Sequence, residues 1–72
     1  MIYFTKHAEE KFDILRKHQI YFTKETVEEA VKSPEKQEKK GKYIFAQKEG
    51  CRVVYKKNKD IIKVFTFYPM KK

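Results

Sequence analysis

The stretch YIFAQKEGCRVVYKKNKDIIKVFTFY, residues 43–68, decides the fold. Its apolar residues recur every second position, the period of a strand with one buried face. They fall in three runs, Tyr43–Gln47, Cys51–Lys57 and Ile61–Tyr68. Lys48-Glu49-Gly50 and Asn58-Lys59-Asp60 separate them, each short enough for a hairpin turn. The prediction is a three-stranded antiparallel meander over residues 43–68. The last run is apolar on both parities, with Ile62, Val64 and Thr66 alternating with Ile61, Phe65 and Phe67. This marks it as a central strand whose second face is shielded or awaits a partner, a homo-oligomeric contact included. A few tolerated surface aromatics are the alternative.

Upstream the period lengthens to that of a helix. Ala8, Phe12 and Leu15 are spaced i, i+4, i+7, so Lys6 to about Lys17 reads as an amphipathic helix capped by Thr5. Glu9 and Glu10 lie toward its start, and Arg16, Lys17 and His18 at its end, as the helix macrodipole favours. Ile2-Tyr3-Phe4 ahead of the cap is a short strand candidate. Gln19-Ile20-Tyr21-Phe22 forms an apolar link to a second cap, Thr23, and a helix running to about Lys32 with Val27, Ala30 and Val31 inward. Phe22 and Val27 match a hydrophobic staple, and Ser33-Pro34 ends the helix. Residues 34–42 contain no apolar side chain and read as an exposed loop. The expected fold is therefore a single α+β domain over residues 1–72, ordered β-α-α-β-β-β. Residues 1–36 hold a strand and two helices, and both helices cover one face of a small antiparallel sheet.

Charge divides the chain unevenly. It carries 18 Lys and Arg against 10 Asp and Glu, a net charge of +8. Residues 1–36 are balanced at seven of each, so the excess is confined to residues 37–72, with eleven basic and three acidic residues. Six of the eleven aromatic residues share that half. A basic, aromatic-studded sheet faces a polyanion, or else its lysines serve solubility alone. The lone Cys51 excludes an internal disulfide and a cysteine-based zinc site, which places the chain in a reducing cytoplasm. Met1–Thr5 lacks a charged leader before a long apolar run, so no signal peptide is expected. No apolar stretch approaches the ~20 residues of a membrane span, and no membrane association is expected.

A few side chains have chemistry to offer. His7, Lys11 and His18 border the apolar stripe of the first helix; His7 is a candidate acid or base, or a structural group capping the first turn. No cluster of His, Cys, Asp and Glu has ligand spacing, so neither metal nor cofactor is expected. Arg52 is the only arginine in the basic half, and its fixed fork of donors suits phosphate. An ion pair with Glu49 or Asp60 is the competing use. Arg52 and Lys56 share one strand face, while Val53 and Tyr55 point the other way. Tyr43, Tyr55 and Tyr68 each join a flat apolar body to a polar tip and are candidates for base stacking or proton transfer.

Phe4-Thr5-Lys6-His7-Ala8-Glu9-Glu10-Lys11 resembles the F-T-x-H-A-x-E-R opening of a family of short prokaryotic proteins. Ser33-Pro34-Glu35, Arg52-Val53-Val54-Tyr55 and Val64-Phe65-Thr66-Phe67-Tyr68-Pro69 resemble the later motifs of the same family, in order. Lys11 stands where that family has arginine, and the segment before Ile20 is slightly long. The family is allied to the BrnT, RelE and ParE toxins. The resemblance implies a RelE-like sheet with N-terminal helices on one face, and a toxin paired with an antitoxin protein. It implies metal-free cleavage of messenger RNA, with the ribosome as a setting. Arg52 would then steady phosphate, Tyr68 and His7 would move protons, and Lys56, Lys63, Tyr55 and Lys11 would help bind RNA. A ParE-like, non-catalytic module gripping nucleic acid or protein through the basic sheet is the alternative. With Lys39, Lys40 and Lys42 assigned to a loop and Lys71 and Lys72 to a tail, the expected patch on the sheet is Arg52, Lys56, Lys57 and Lys63.

Overall fold

Each helix starts where a threonine hydroxyl accepts a backbone N–H. In the computed structural model, which describes residues 1–70, Thr5 accepts from Ala8 and Thr23 from Thr26, both at 3.1 Å. The elements are β1 (Ile2–Phe4), α1 (Lys6–Lys17), α2 (Lys24–Lys32), β2 (Lys36–Lys40), β3 (Tyr43–Lys48), β4 (Cys51–Asn58) and β5 (Ile61–Pro69). Both helices and the last three strands lie where the periodicity puts them. Lys71 and Lys72, read as a basic tail, lie outside the described residues. At its C-terminus α1 closes in a Schellman motif, with Gln19 N–H on Arg16 O and Ile20 N–H on Leu15 O, each at 2.9 Å. The motif requires a left-handed residue, and here a glutamine with φ of 63° takes the place usually given to glycine.

The sheet corrects the sequence reading in two ways. It has five strands in the order β1-β5-β4-β3-β2, and it is mixed, because β1 runs parallel to β5 while the other pairs are antiparallel. The stretch expected to be a loop contains β2, paired with β3 from Lys36↔Gln47 to Lys40↔Tyr43. Hydrophobic periodicity is blind to β2 because all five of its residues are exposed. Main-chain bonds to β3 hold it instead, closed by the two-residue Gly41-Lys42 turn, where Gly41 takes a φ of 59°. Gln37 adds a side-chain tie, donating to the Tyr55 hydroxyl at 2.8 Å. As an edge strand rich in lysine, β2 also discourages pairing with a second sheet.

The two-sided apolarity of β5 has a specific cause. Its nine residues lie opposite the eight of β4, and the register slips between Val54↔Thr66 and Tyr55↔Val64. Phe65 is the extra residue of a β-bulge, and the inward parity changes there. Phe67 and Val64, of opposite parity in sequence, are therefore both fully buried on the helix-facing side. The apolar positions expected to await a partner are shared between this core and the other face, where Phe65 and the exposed Ile61 lie.

Every buried residue belongs to one core between the sheet and the helices. Ala8 and Leu15 of α1 and Val27, Ala30 and Val31 of α2 meet Ala46, Cys51, Val53, Tyr55, Val64 and Phe67. Phe67 lies 4.5 Å from Phe12 and 6.3 Å from Phe22 by ring centroids, and Phe12 lies 5.7 Å from Phe4. This aromatic chain ties β1, α1 and the interhelical link to β5. Burying Phe67 alone stabilises the fold by roughly 2–3 kcal/mol.

Thr5 joins the two layers a second time, since its hydroxyl donates to Phe65 O at 3.3 Å, satisfying a carbonyl at the bulge. Thr5→Val should therefore cost about 1–3 kcal/mol in denaturant unfolding, the cap and the bulge contact together. Thr23→Val, whose hydroxyl reaches no strand, should cost only about 1 kcal/mol; equal losses would remove the bulge role. Gln19→Gly should instead raise stability by roughly 0.5–1 kcal/mol, seen as a melting midpoint a few degrees higher.

Candidate nucleic-acid interface

Both helices pack on one side of the sheet, and residues of the opposite parity form its uncovered face. By register these include Tyr3 of β1, Tyr43 and Phe45 of β3, Arg52, Val54 and Lys56 of β4, Lys63 and Tyr68 of β5, and Glu38 and Lys40 of β2. Phe65 joins them through the bulge. Cations and rings interleave here. Lys56 Nζ lies 5.3 Å from the Tyr43 centroid and 5.8 Å from that of Phe65, and the two rings meet edge to face at 5.6 Å. Arg52 sits 5.1 Å above Phe45, with Lys40 5.8 Å from the same ring. Each such contact is worth about 0.5–1 kcal/mol at an exposed site, which biases a long side chain to lie over the rings.

Four of the seven residues singled out by sequence meet on this face. Arg52 pairs directly with Tyr68 across β4 and β5, and Lys56 with Lys63. The ion-pair partner of Arg52 is neither Glu49 nor Asp60. It is Glu38, 3.6 Å away on β2, the strand that sequence reading missed, and Lys40 shares that carboxylate at 3.9 Å. His7 and Lys11 do not join the site. They belong to α1 on the other side of the sheet, where His7 is exposed, so the sheet separates His7 from Arg52 and Tyr68. Tyr55 is corrected outright as a stacking residue. It is 3% exposed, its ring lies in the core, and Gln37 donates to its hydroxyl. Its phenol cannot reach a base without opening the fold.

Sequence reading also missed a cleft. At one end of the sheet the Gly41-Lys42 turn and the Lys59-Asp60 turn lie side by side, because β3 begins where β4 ends. Lys39, Lys42, Lys56, Lys57, Asn58 and Lys59 line a cleft of about 620 Å³ there. A second cleft, of about 420 Å³, lies among Tyr3, Lys56, Asn58, Ile61, Lys63 and Phe65. Lys39 and Lys42 fall in the stretch whose polarity reads as a loop, and only strand pairing brings them to this place. Among the described residues no three His, Cys, Asp or Glu side chains are grouped to hold a metal ion, and no helix is long and apolar enough to cross a membrane. No protein-family model matches the chain, and no curated protein or solved structure matches it.

Cys51 takes no part in the face. It is fully buried at the start of β4, and burial pushes its thiol up to about 11 from 9.0. The folded state thus keeps its proton where the unfolded chain has lost it. This contribution to stability is complete below about pH 9 and is lost as pH rises toward 11. Compared with Cys51→Ala in denaturant titrations at pH 8 and pH 10.5, wild type should lose about 1–2 kcal/mol more. Parallel pH profiles for the two proteins would contradict the burial of this thiol.

Proposed function

We propose that the uncovered sheet face binds single-stranded RNA, with bases on its aromatic rings and phosphates against its lysines. The observation that supports this most is the interleaving of Tyr3, Tyr43, Phe45, Phe65 and Tyr68 with Lys40, Arg52, Lys56 and Lys63 on the one face no helix covers. Unpaired bases present flat faces that stack on exposed rings, worth about 1–3 kcal/mol each, whereas a duplex hides them. Tyr43 and Tyr3 are 42% and 51% exposed, so their rings are open to a base. Lysines around them supply charge without demanding a sequence.

A second reading, the endoribonuclease of a toxin–antitoxin pair that the RelE, BrnT and ParE resemblance implies, is favoured by one contact, the Arg52↔Tyr68 pairing. It sets a phosphate-binding fork beside a phenol. In that reading Arg52 exchanges Glu38 for the scissile phosphate and stabilises its developing charge, while Tyr68 handles a proton. His7 has no direct part, being across the sheet. An antitoxin would then act by covering this same face.

One experiment addresses both. A fluorescein-labelled 12-nucleotide oligo(U) should bind the protein in EDTA at 50 mM salt, read by anisotropy. With about four phosphate contacts, affinity should fall roughly 50-fold by 200 mM salt, and Tyr43→Ala should weaken binding about 10-fold. Absence of binding at 50 mM salt would end this reading. Gels of the same mixtures, with a messenger RNA added, report the second: cleavage by wild type that Arg52→Ala and Tyr68→Phe abolish supports it, and uncut RNA removes it.

A further inference from the structure

The end-of-sheet cleft concentrates charge in a way the rest of the surface does not. Lys39 from β2, Lys42 from its turn, Lys56 and Lys57 from β4, and Lys59 from the next turn converge on it, with Asn58 as a neutral donor and Ile44 as an apolar wall. None of these five lysines has a carboxylate within 4 Å among the described residues. Elsewhere Lys24, Lys40, Lys48, Arg16 and Arg52 each have one, and the lysines without one (Lys6, Lys11, Lys17, Lys32, Lys36 and Lys63) are spread over α1, α2, β2 and β5. A cleft lined by one sign focuses its field, and a bound anion relieves the mutual repulsion among the lysines. A single phosphate would leave most of that charge unbalanced. Lysine's flexible point charge suits several adjacent phosphates, whereas arginine's fork suits one. The cleft's volume of about 620 Å³ is that of a site for a small ligand.

We propose that this cleft is a binding site for a run of directly linked phosphates. Two sources share that chemistry, a free oligophosphate and the 5′-triphosphate end of an RNA. Lys56 makes the second accessible, because it lines this cleft and also the neighbouring one, which holds Tyr3, Lys63 and Phe65. An RNA stacked on the sheet face can thus continue into the cleft by its 5′ end, an assignment that rests on the RNA reading above. The free oligophosphate does not depend on it.

The test uses the full chain and a Lys42→Gln/Lys59→Gln variant, which alters two exposed side chains of the end turns, outside the sheet-face patch. Tripolyphosphate should raise the wild-type melting midpoint by about 3 °C or more over sulfate at equal ionic strength. A 5′-triphosphate 12-mer of oligo(U) should bind at least about 10-fold more tightly than its 5′-hydroxyl counterpart. Both effects should shrink to near nothing in the variant, while 5′-hydroxyl RNA binds it nearly as before. A response to tripolyphosphate alone supports the site with a free ligand, and discrimination between the RNAs alone supports it with an RNA end. Neither response, or responses that survive in the variant, overturns the proposal. Failure of both RNAs to bind, with the tripolyphosphate shift intact, removes the sheet-face reading and leaves the cleft standing.

Discussion

The arrangement turns on one mismatch, nine residues of β5 set against eight of β4. Without the bulge at Phe65, Val64 and Phe67 could not both face the helices, because side chains in a strand alternate without exception. One of the two fully buried residues would sit in water, at a cost of about 1.5–3 kcal/mol before any cavity is counted. The bulge resolves this by spending Phe65 on the other face. Its carbonyl is partly buried and would be a liability without a partner, and the Thr5 hydroxyl donates to it while also capping α1. One side chain thus aligns the first helix with β5 and holds the irregularity in place.

That same irregularity builds the uncovered face. Phe65, turned away from the core, becomes the ring against which Tyr43 and Lys56 pack. The aromatic character of the face is therefore a consequence of how the core is filled, and Phe65 is held by a strand that also carries the buried Val64 and Phe67. β2 acts differently. It contributes no buried residue, yet it brings Glu38 to Arg52, Gln37 to Tyr55, and Lys39 to the basic cleft. The sheet's charge is thereby divided. Arg52 and Lys40 are partly neutralised by Glu38, and five lysines without a carboxylate partner gather at the end where the two turns lie side by side.

This division alters what the positive charge of the chain means. Read along the sequence, the excess is spread over residues 37–72, and half of it falls in segments without apolar residues. In space, Lys39 and Lys42 stand with Lys56, Lys57 and Lys59, and the most polar stretch of the chain supplies part of the most strongly charged cleft. A segment can therefore be invisible to hydrophobic patterning and still be positioned by main-chain hydrogen bonds, which carry no side-chain signature.

What the sequence determined by itself is whatever depends on local period and local hydrogen bonding. Ala8, Phe12 and Leu15 at helical spacing, the Thr5 and Thr23 caps, the Phe22–Val27 staple and the alternation of Cys51, Val53 and Tyr55 placed two helices and the last three strands within a residue or so. They also placed Arg52 and Lys56 on a common face. Only the tertiary structure decided matters that depend on which strands pair and in what register. The pairing of β2 with β3 gave Arg52 its partner and the cleft its lysines. The parallel docking of β1 beside β5 put Tyr3 on the open face and α1 on the other, separating His7 from Arg52. The burial of Tyr55 followed from its inward parity, already legible, together with the Gln37 bond, which was not. Register and bulge position arise from filling one core from both parities of β5, a constraint that acts between elements far apart in the chain and leaves no mark on any single one of them.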